Sequence, residues 1–479
     1  MQKSPWARGV LCLSAVASAA MAQPAFAGFA FSPGDLVVTV EGDGSNVTNQ
    51  PDSTYSDNQA APLTLYQYST TGTSSATLAG TLTLPQTTVG DQNAISGEYG
   101  SSSEGFLSLS TNGQYLTLMG YGINAAQYNA NPSIYSSCTT SDCSSSALAQ
   151  STSLSTASNY IPRVVALISA NGTVDTSTAV ANVFNGNNAR GAVTTNGQTF
   201  YISGQGQSGD TTEGVFVVQK GSSSATAINT SYDTRSVQII GNQLYVSQDS
   251  KVGTGQTAYI ATLGSAGNLP TGSTAASVLP GLSTGSKNSP MPGTIALANG
   301  NGNSVNASSG NIFLSPENYF LANATTMYVA DSGDPKAGGL GDGGLQKWTL
   351  SNGTWSLDYT LSTGLNLVSE KTGSGTSGLF GLTGEVVGNQ VELFATNSTL
   401  TDLGQTYLYG ISDTLSATSA SQVTGESFSV LATAAADTDF KGVAFAPVPL
   451  PASLLLFFSG LCALAATSVL AARTPLGRR

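Results

Sequence analysis

Arg190-Gly191-Ala192-Val193, followed by Asn196-Gly197 and then Phe200-Tyr201-Ile202-Ser203, is the stretch whose reading decides the fold. A charged residue and a small one open an apolar strand. Asn-Gly supplies the positive φ angles of a tight hairpin, and a second strand carrying tyrosine follows. The pattern recurs. It stands as Glu104-Gly105-Phe106-Leu107, Asn112-Gly113 and Tyr115-Leu116-Thr117-Leu118. It returns as Arg235-Ser236-Val237-Gln238-Ile239, Gly241-Asn242 and Leu244-Tyr245-Val246-Ser247. A looser copy runs from Asn318-Tyr319-Phe320 through Asn323 to Met327-Tyr328-Val329-Ala330. Another is Phe380-Gly381-Leu382-Thr383, Gly388-Asn389 and Val391-Glu392-Leu393-Phe394, and Lys441-Gly442-Val443-Ala444-Phe445 supplies only a first half.

Further hairpins fill the intervals. Arg163 to Ile168 with Asn171-Gly172 is one, and Leu345 to Leu350, Asn352-Gly353 and Trp355 to Leu361 is the clearest. Each unit therefore offers about four strands, the content of a propeller blade. The repeats predict an all-β chain, a six-bladed β-propeller over residues 28–447, with seven blades as the alternative. A β-helix is the rival fold, but its rungs would recur at a far shorter period. The units exceed the ~40–50 residues of compact blades, and the excess falls in polar loops around 122–160 and 265–312. The incomplete last copy has its completion at the other end of the chain. Leu36-Val37-Val38-Thr39-Val40 and Leu63-Thr64-Leu65-Tyr66-Gln67-Tyr68 are expected to join it, which removes a free sheet edge.

Composition narrows the chemistry. Only 9% of the 479 residues are charged, against the usual ~25%, while Gly numbers 55 and hydrophobic residues reach 40%. That is too apolar for a disordered chain and suits turn-rich β structure. A net charge of −12 disfavours nucleic acid. Histidine is absent, so a Ser-His-Asp triad, a Cys-His dyad and a His-ligated zinc are excluded.

The ends read as export machinery. Residues 1–27 combine Lys3 and Arg8, a short apolar core, and small-x-small cleavage sites at Ala20-Met21-Ala22 and Ala25-Phe26-Ala27, the parts of a signal peptide. Leu454 to Ala472 is uncharged and close to the ~20 residues that span a bilayer. Val448-Pro449-Leu450-Pro451-Ala452-Ser453 precedes it, and Arg473, Arg478 and Arg479 follow. Box, span and arginines together resemble the PEP-CTERM sorting signal, here over residues 448–479, with Leu450 in place of the glutamate of Pro-Glu-Pro. The resemblance implies processing by an exosortase after signal peptidase, and a Gram-negative organism that exports exopolysaccharide. It also implies transient anchoring in the inner membrane before the cell surface is reached. The central domain is similar to a group of uncharacterised bacterial propeller-like proteins. That likeness rests on Gly34-Asp35-Leu36-Val37-Val38, Glu104-Gly105-Phe106, Tyr328-Val329-Ala330-Asp331 with Leu345-Gln346-Lys347-Trp348, and Lys441-Gly442-Val443-Ala444-Phe445-Ala446-Pro447. It implies no activity.

Of the four cysteines, Cys12 and Cys462 fall in the two ends, leaving Cys138 and Cys143 for a local disulfide outside the cytoplasm. If the copies begin innermost strands, Glu104, Arg190, Arg235 and Lys441 form a mixed-charge ring at one channel mouth, interrupted by Phe380. Such a ring suits a sugar acid, a peptide terminus or an ion, or else fixes blade register. Two Asp/Gly loops have calcium-like chemistry: Glu41-Gly42-Asp43-Gly44-Ser45, and Asp331-Ser332-Gly333-Asp334 with Asp342. The same loops serve as ordinary turns, and structural calcium is the one cofactor they suggest. The first functional expectation is a non-enzymatic binding or scaffold propeller associated with exopolysaccharide. The second is an extracellular carboxylate- or calcium-dependent hydrolase or lyase, phytase-like in architecture, which requires acids converging at one mouth.

Overall fold

The computed structural model describes residues 29–44, 55–139, 144–207, 210–230, 233–250, 257–284, 291–292, 297–298, 311–312, 314–333 and 343–449. The expected signal peptide, the run 454–472 and Arg478 and Arg479 lie outside them. No helix among the described residues is long and apolar enough to cross a membrane.

Strands dominate. Thr438–Phe445 pairs with Leu36–Gly42, then Ala60–Thr71 and Ser75–Thr83, giving a first sheet of four antiparallel strands. The second holds Ser108–Leu109, Tyr115–Tyr121, Arg163–Ser169 and Val174–Val180. Short Ser96–Glu98 pairs with both Ala60–Thr71 and Tyr115–Tyr121, so these two sheets are continuous as nine strands. The third runs Ala189–Thr194, Thr199–Gly204, Gly214–Gln219, Thr226–Asn229, and the fourth Thr234–Ile240, Gln243–Ser250, Thr257–Leu263, Ala276–Thr284. The fifth contains Pro316–Asn323, Thr326–Asp331, Gly344–Ser351 and Thr354–Leu361, with Leu297–Ala298 added in parallel at its outer edge. The sixth contains Thr376–Val387, Gln390–Thr399, Tyr407–Thr414 and Ser429–Thr433. Antiparallel meanders of this kind are not the parallel rungs of a β-helix.

The hairpin turns form where Asn and Gly stand. Asn352 and Gly353 both take positive φ, 51° and 80°, as a two-residue turn between right-twisted strands requires. The closure expected from sequence is present: Leu36 lies opposite Phe445 and Val38 opposite Val443.

Period-2 alternation sends successive side chains to opposite faces, so each sheet serves two cores. Ala192 faces the second sheet beside Met119, Tyr121 and Phe200. Its neighbour Val193 faces the fourth beside Tyr201, Val237 and Leu244. Likewise Val37 packs with Leu116 and Leu118 of the second sheet, whereas Leu36 and Val38 pack with Phe394 and Leu408 of the sixth. The fourth and fifth sheets share Ile260, Tyr319 and Trp348, and the fifth and sixth share Tyr328, Leu345, Leu393 and Tyr409. The first strands of the sheets stand side by side in order, and that of the sixth returns to that of the first.

Hydroxyl groups stitch the inner strands together. Thr117 donates to the Ala192 carbonyl at 2.7 Å and Ser203 to Arg235 at 2.8 Å. Ser247 donates to Glu317 at 3.1 Å and Thr396 to Lys441 at 2.5 Å. Each donor sits in the second strand of one sheet and each acceptor in the first strand of the next. The small residue after the opening charge now has a cause. A Cβ on Gly442 would lie 2.2 Å from the Leu107 nitrogen, so only glycine permits this backbone approach.

Candidate functional site

Arg190 and Arg235 stand near the starts of Ala189–Thr194 and Thr234–Ile240, Lys441 stands inside Thr438–Phe445, Glu104 precedes Ser108–Leu109, and all four are buried. Glu104 accepts from the Tyr121 hydroxyl and from Asn188 Nδ2 at 2.7 Å. Arg190 pairs with Asp233, and its guanidinium donates to Ser103 Oγ at 3.2 Å, Thr234 O at 3.2 Å and Gln205 Oε1 at 2.9 Å. Arg235 lies 3.8 Å from Glu317 and 3.9 Å from Asp249. Lys441 Nζ lies 2.5 Å from Asp439 Oδ2 and 3.6 Å from Glu41 Oε2, and donates to Ser101 O at 2.5 Å. Phe380 stacks on Phe106 with centroids 4.3 Å apart. These rings come from the sixth and second sheets, which are not neighbours, so the pair closes the space between their inner strands.

The pairing crosses from sheet to sheet. Arg190 of the third holds Asp233, which leads into the fourth, and Arg235 of the fourth holds Glu317 of the fifth. Burial lowers the Arg190 pKa, with Asp233 opposing that effect. Burial also works against the charge on Arg235, but Glu317, Asp233 and Asp249 outweigh it and hold the guanidinium above its usual value. Lys441 is held up the same way by Asp439 and Glu41. Burial drives Glu41 well above the usual carboxylate range despite Lys441, and drives Glu98 likewise, with Glu104 adding to it. Neither Glu41 oxygen has a hydrogen-bond partner, and the Lys441 ammonium is its counter-charge.

Sequence reasoning found the cations and Glu104 but missed Glu41, Glu98, Asp233, Asp249, Glu317 and Asp439. A signal existed for two of them. Asp233-Thr234-Arg235 and Asp439-Phe440-Lys441 share an Asp-x-cation spacing, which a strand places on one face. Arg163 was also missed as a site residue. Its guanidinium lies 4.6 Å from the Tyr121 ring centroid and donates to Ser151 Oγ and to the carbonyls of Ile161, Ser151 and Phe184. It ties the long 122–160 segment to the sheet.

The calcium-like loops divide. Asp331 is buried and fully engaged by protein donors: Oδ1 accepts from Gly333 N at 2.9 Å, and Oδ2 from Ser315 N and Gln346 Nε2 at 2.9 Å each. That is the bonding of a turn lock. Asp334 and Asp342 lie outside the described residues. Glu41, from the other loop, is drawn into the Lys441 pair. Among the described residues no three acids or cysteines stand together as a metal cluster. Cys138 is disulfide-bonded, and Cys143 lies outside the described residues. Val448 donates its N–H to Gly113 O at 2.7 Å, which fastens the start of the Pro-rich box to the second sheet, and Pro449 is the last described residue. Leu450 and Pro451 lie beyond it.

The segment 122–160, read as a polar loop, contains a short helix, Ala125–Ala130. Asn124 caps it by accepting from Gln127 N at 2.9 Å, and Tyr128 is buried with its hydroxyl on Ala147 O. Beside this helix is a recess of about 480 Å³ lined by Gln86, Thr88, Asn124, Gln127, Tyr135 and Tyr160. Tyr160 is 39% exposed. A second recess of about 620 Å³ is lined by Thr195, Asn196, Gln219, Ser222, Ser224 and Thr226. No charged side chain lines either. Hydroxyl, amide and aromatic groups line them together with aliphatic ones, Ile123 and Ile161 in the first and Val217, Val218 and Leu269 in the second.

No family model matches the sequence, and no curated protein matches it. Solved structures resemble it only distantly. A hypothetical selenium-binding protein from Sulfolobus tokodaii is 8% identical, with a TM-score of 0.38, over 87% of this chain and 94% of that one. An aldose sugar dehydrogenase from Streptomyces coelicolor, in its PQQ-bound form, is 11% identical, with a TM-score of 0.31, over 76% and 93%. An oligogalacturonate lyase in complex with manganese is 7% identical, with a TM-score of 0.33, over 80% and 94%. Similarity at this level carries no activity across to this chain.

Proposed function

We propose that this chain is an exported cell-surface or matrix protein whose domain is a six-bladed β-propeller acting as a non-enzymatic binding and scaffold module in an exopolysaccharide layer. One observation carries the reading. The charged groups along the inner strands are buried and closed on one another, Arg190 and Arg235 reaching Asp233 and Glu317 of the next sheet and Lys441 holding Asp439 and Glu41 within the first, so they serve as joints between and within sheets. Six shared apolar cores and the return of the last inner strand to the first support six blades. The PEP-CTERM-like tail supports export, exosortase handling and release at the surface.

Ligand contact then falls to the uncharged recesses. Tyr160 and Tyr135 with Asn124 and Gln127 bring aromatic and amide groups to one recess, which suits a neutral stretch of polysaccharide. Tyr160→Ala is expected to weaken glycan binding roughly tenfold, about 1.4 kcal/mol, in a titration on a glycan array. Unchanged affinity for every glycan bound would remove this recess from the proposal.

One observation favours the hydrolase or lyase reading. Glu41 and Asp439 both lie within 3.6 Å of Lys441 Nζ, and Glu98 and Glu104 act electrostatically on Glu41. Carboxylates therefore gather at one point in the ring. They are buried there and bridged by an ammonium, which is the arrangement of a joint.

A further inference from the structure

A second ionic group lies between the fifth and sixth sheets, away from the ring. Lys347, on Gly344–Ser351, is 1% exposed at its side chain, and Asp413, on Tyr407–Thr414, is 0% exposed. Lys347 Nζ stands 2.8 Å from Asp413 Oδ2. The Tyr328 hydroxyl donates to that oxygen at 2.5 Å and the Tyr359 hydroxyl to Oδ1 at 2.7 Å. Glu426 is anchored by Thr414, whose N–H and hydroxyl donate to its Oε1 at 3.0 and 2.9 Å.

We propose that Lys347 and Asp413 condense into an intramolecular amide, with Glu426 as the proton-transferring partner, covalently joining the fifth and sixth sheets. The geometry supplies the nucleophile and the activated carboxyl. Nζ stands 2.8 Å from an oxygen of the carboxyl that it would attack. Two tyrosine hydroxyls polarise the carboxyl and stand ready to stabilise the oxyanion of the tetrahedral intermediate. Thr414 O and Leu415 O accept from Nζ at 2.7 and 3.1 Å. Once one proton has left the nitrogen, those carbonyls hold the remaining two hydrogens and turn the lone pair toward Asp413. Burial, and then the adjacent Asp413 carboxyl, push Glu426 up to about 7, so it carries a proton at mildly acidic pH.

The step balances without a co-reactant. The Nζ–Cγ bond forms, one Cγ–O bond breaks, and the ammonium protons pass through the carboxyl pair to the departing oxygen, which leaves as water. Condensation also removes two charges from a dry site, together with their desolvation cost.

The test is peptide mapping of the full-length chain. Trypsin cuts after Lys336, Lys371 and Lys441, so the amide would join residues 337–371 to residues 372–441 and block cleavage after Lys347. A branched peptide lighter than the sum of its parts by one water is expected in the wild type. Lys347→Arg and Glu426→Gln should fold with the wild-type circular dichroism spectrum and lack it. Asp413→Asn, which expels ammonia instead, should give a branched peptide of the wild-type mass. Only linear peptides from the wild type would overturn the amide, and an undiminished branched peptide from Glu426→Gln would overturn the assigned proton transfer.

Discussion

Lys441 shows what a single charge does in this chain. It is buried against Asp439 and Glu41, and removing it leaves two carboxylates in a site that water does not reach. Breaking a buried pair by deleting one partner costs about 3–5 kcal/mol, and Lys441→Met is expected to lose stability in that range. Urea denaturation reads it, and a loss below about 1 kcal/mol, the value of an exposed pair, would mean the ring is not a joint. At this scale the sequence was half legible. The cations and Glu104 were visible because each recurs at one position in a repeat. Glu317 was missed because the loose copy was read from Asn318, one residue late. Glu41 was missed because it looked like part of an Asp/Gly loop, and only strand pairing across the chain termini sets it against Lys441.

The hydroxyl stitches carry the argument from residue to element. Ser203 and Ser247 each satisfy a carbonyl of the next inner strand from a buried position. Ser203→Ala and Ser247→Ala should each cost about 1–3 kcal/mol, because a buried acceptor is left without its donor. The exposed Ser224→Ala should stay within about 0.5 kcal/mol. Equal, small effects at all three positions would show that the inner strands hold together by apolar packing alone. The strands themselves were readable because Asn-Gly and Gly-Asn turns punctuate alternating apolar runs. The pairing of Leu36–Gly42 with Thr438–Phe445 was readable because an incomplete unit at one end met spare strands at the other. The 122–160 segment was not. Its helix is only six residues long, and its order comes from Arg163 and Tyr128, tertiary contacts that leave no period in the sequence.

At the scale of the whole molecule, the account joins a closed ring of sheets to an export route. In the proposed reading the tail supplies the route, and deletion of residues 448–479 is expected to release the protein from the surface fraction into the medium. Fractionation with an antibody to the domain reads this, and an unchanged distribution would end the sorting proposal. The central claim is that the domain binds without turning over. The most direct measurement incubates residues 28–447 with a panel of glycans and phospho-esters, in calcium and in chelator, following both binding and product. Saturable glycan binding with no product in either condition is predicted. Product formation that Glu41→Gln or Asp439→Asn abolishes would contradict the account and make the ring an active site.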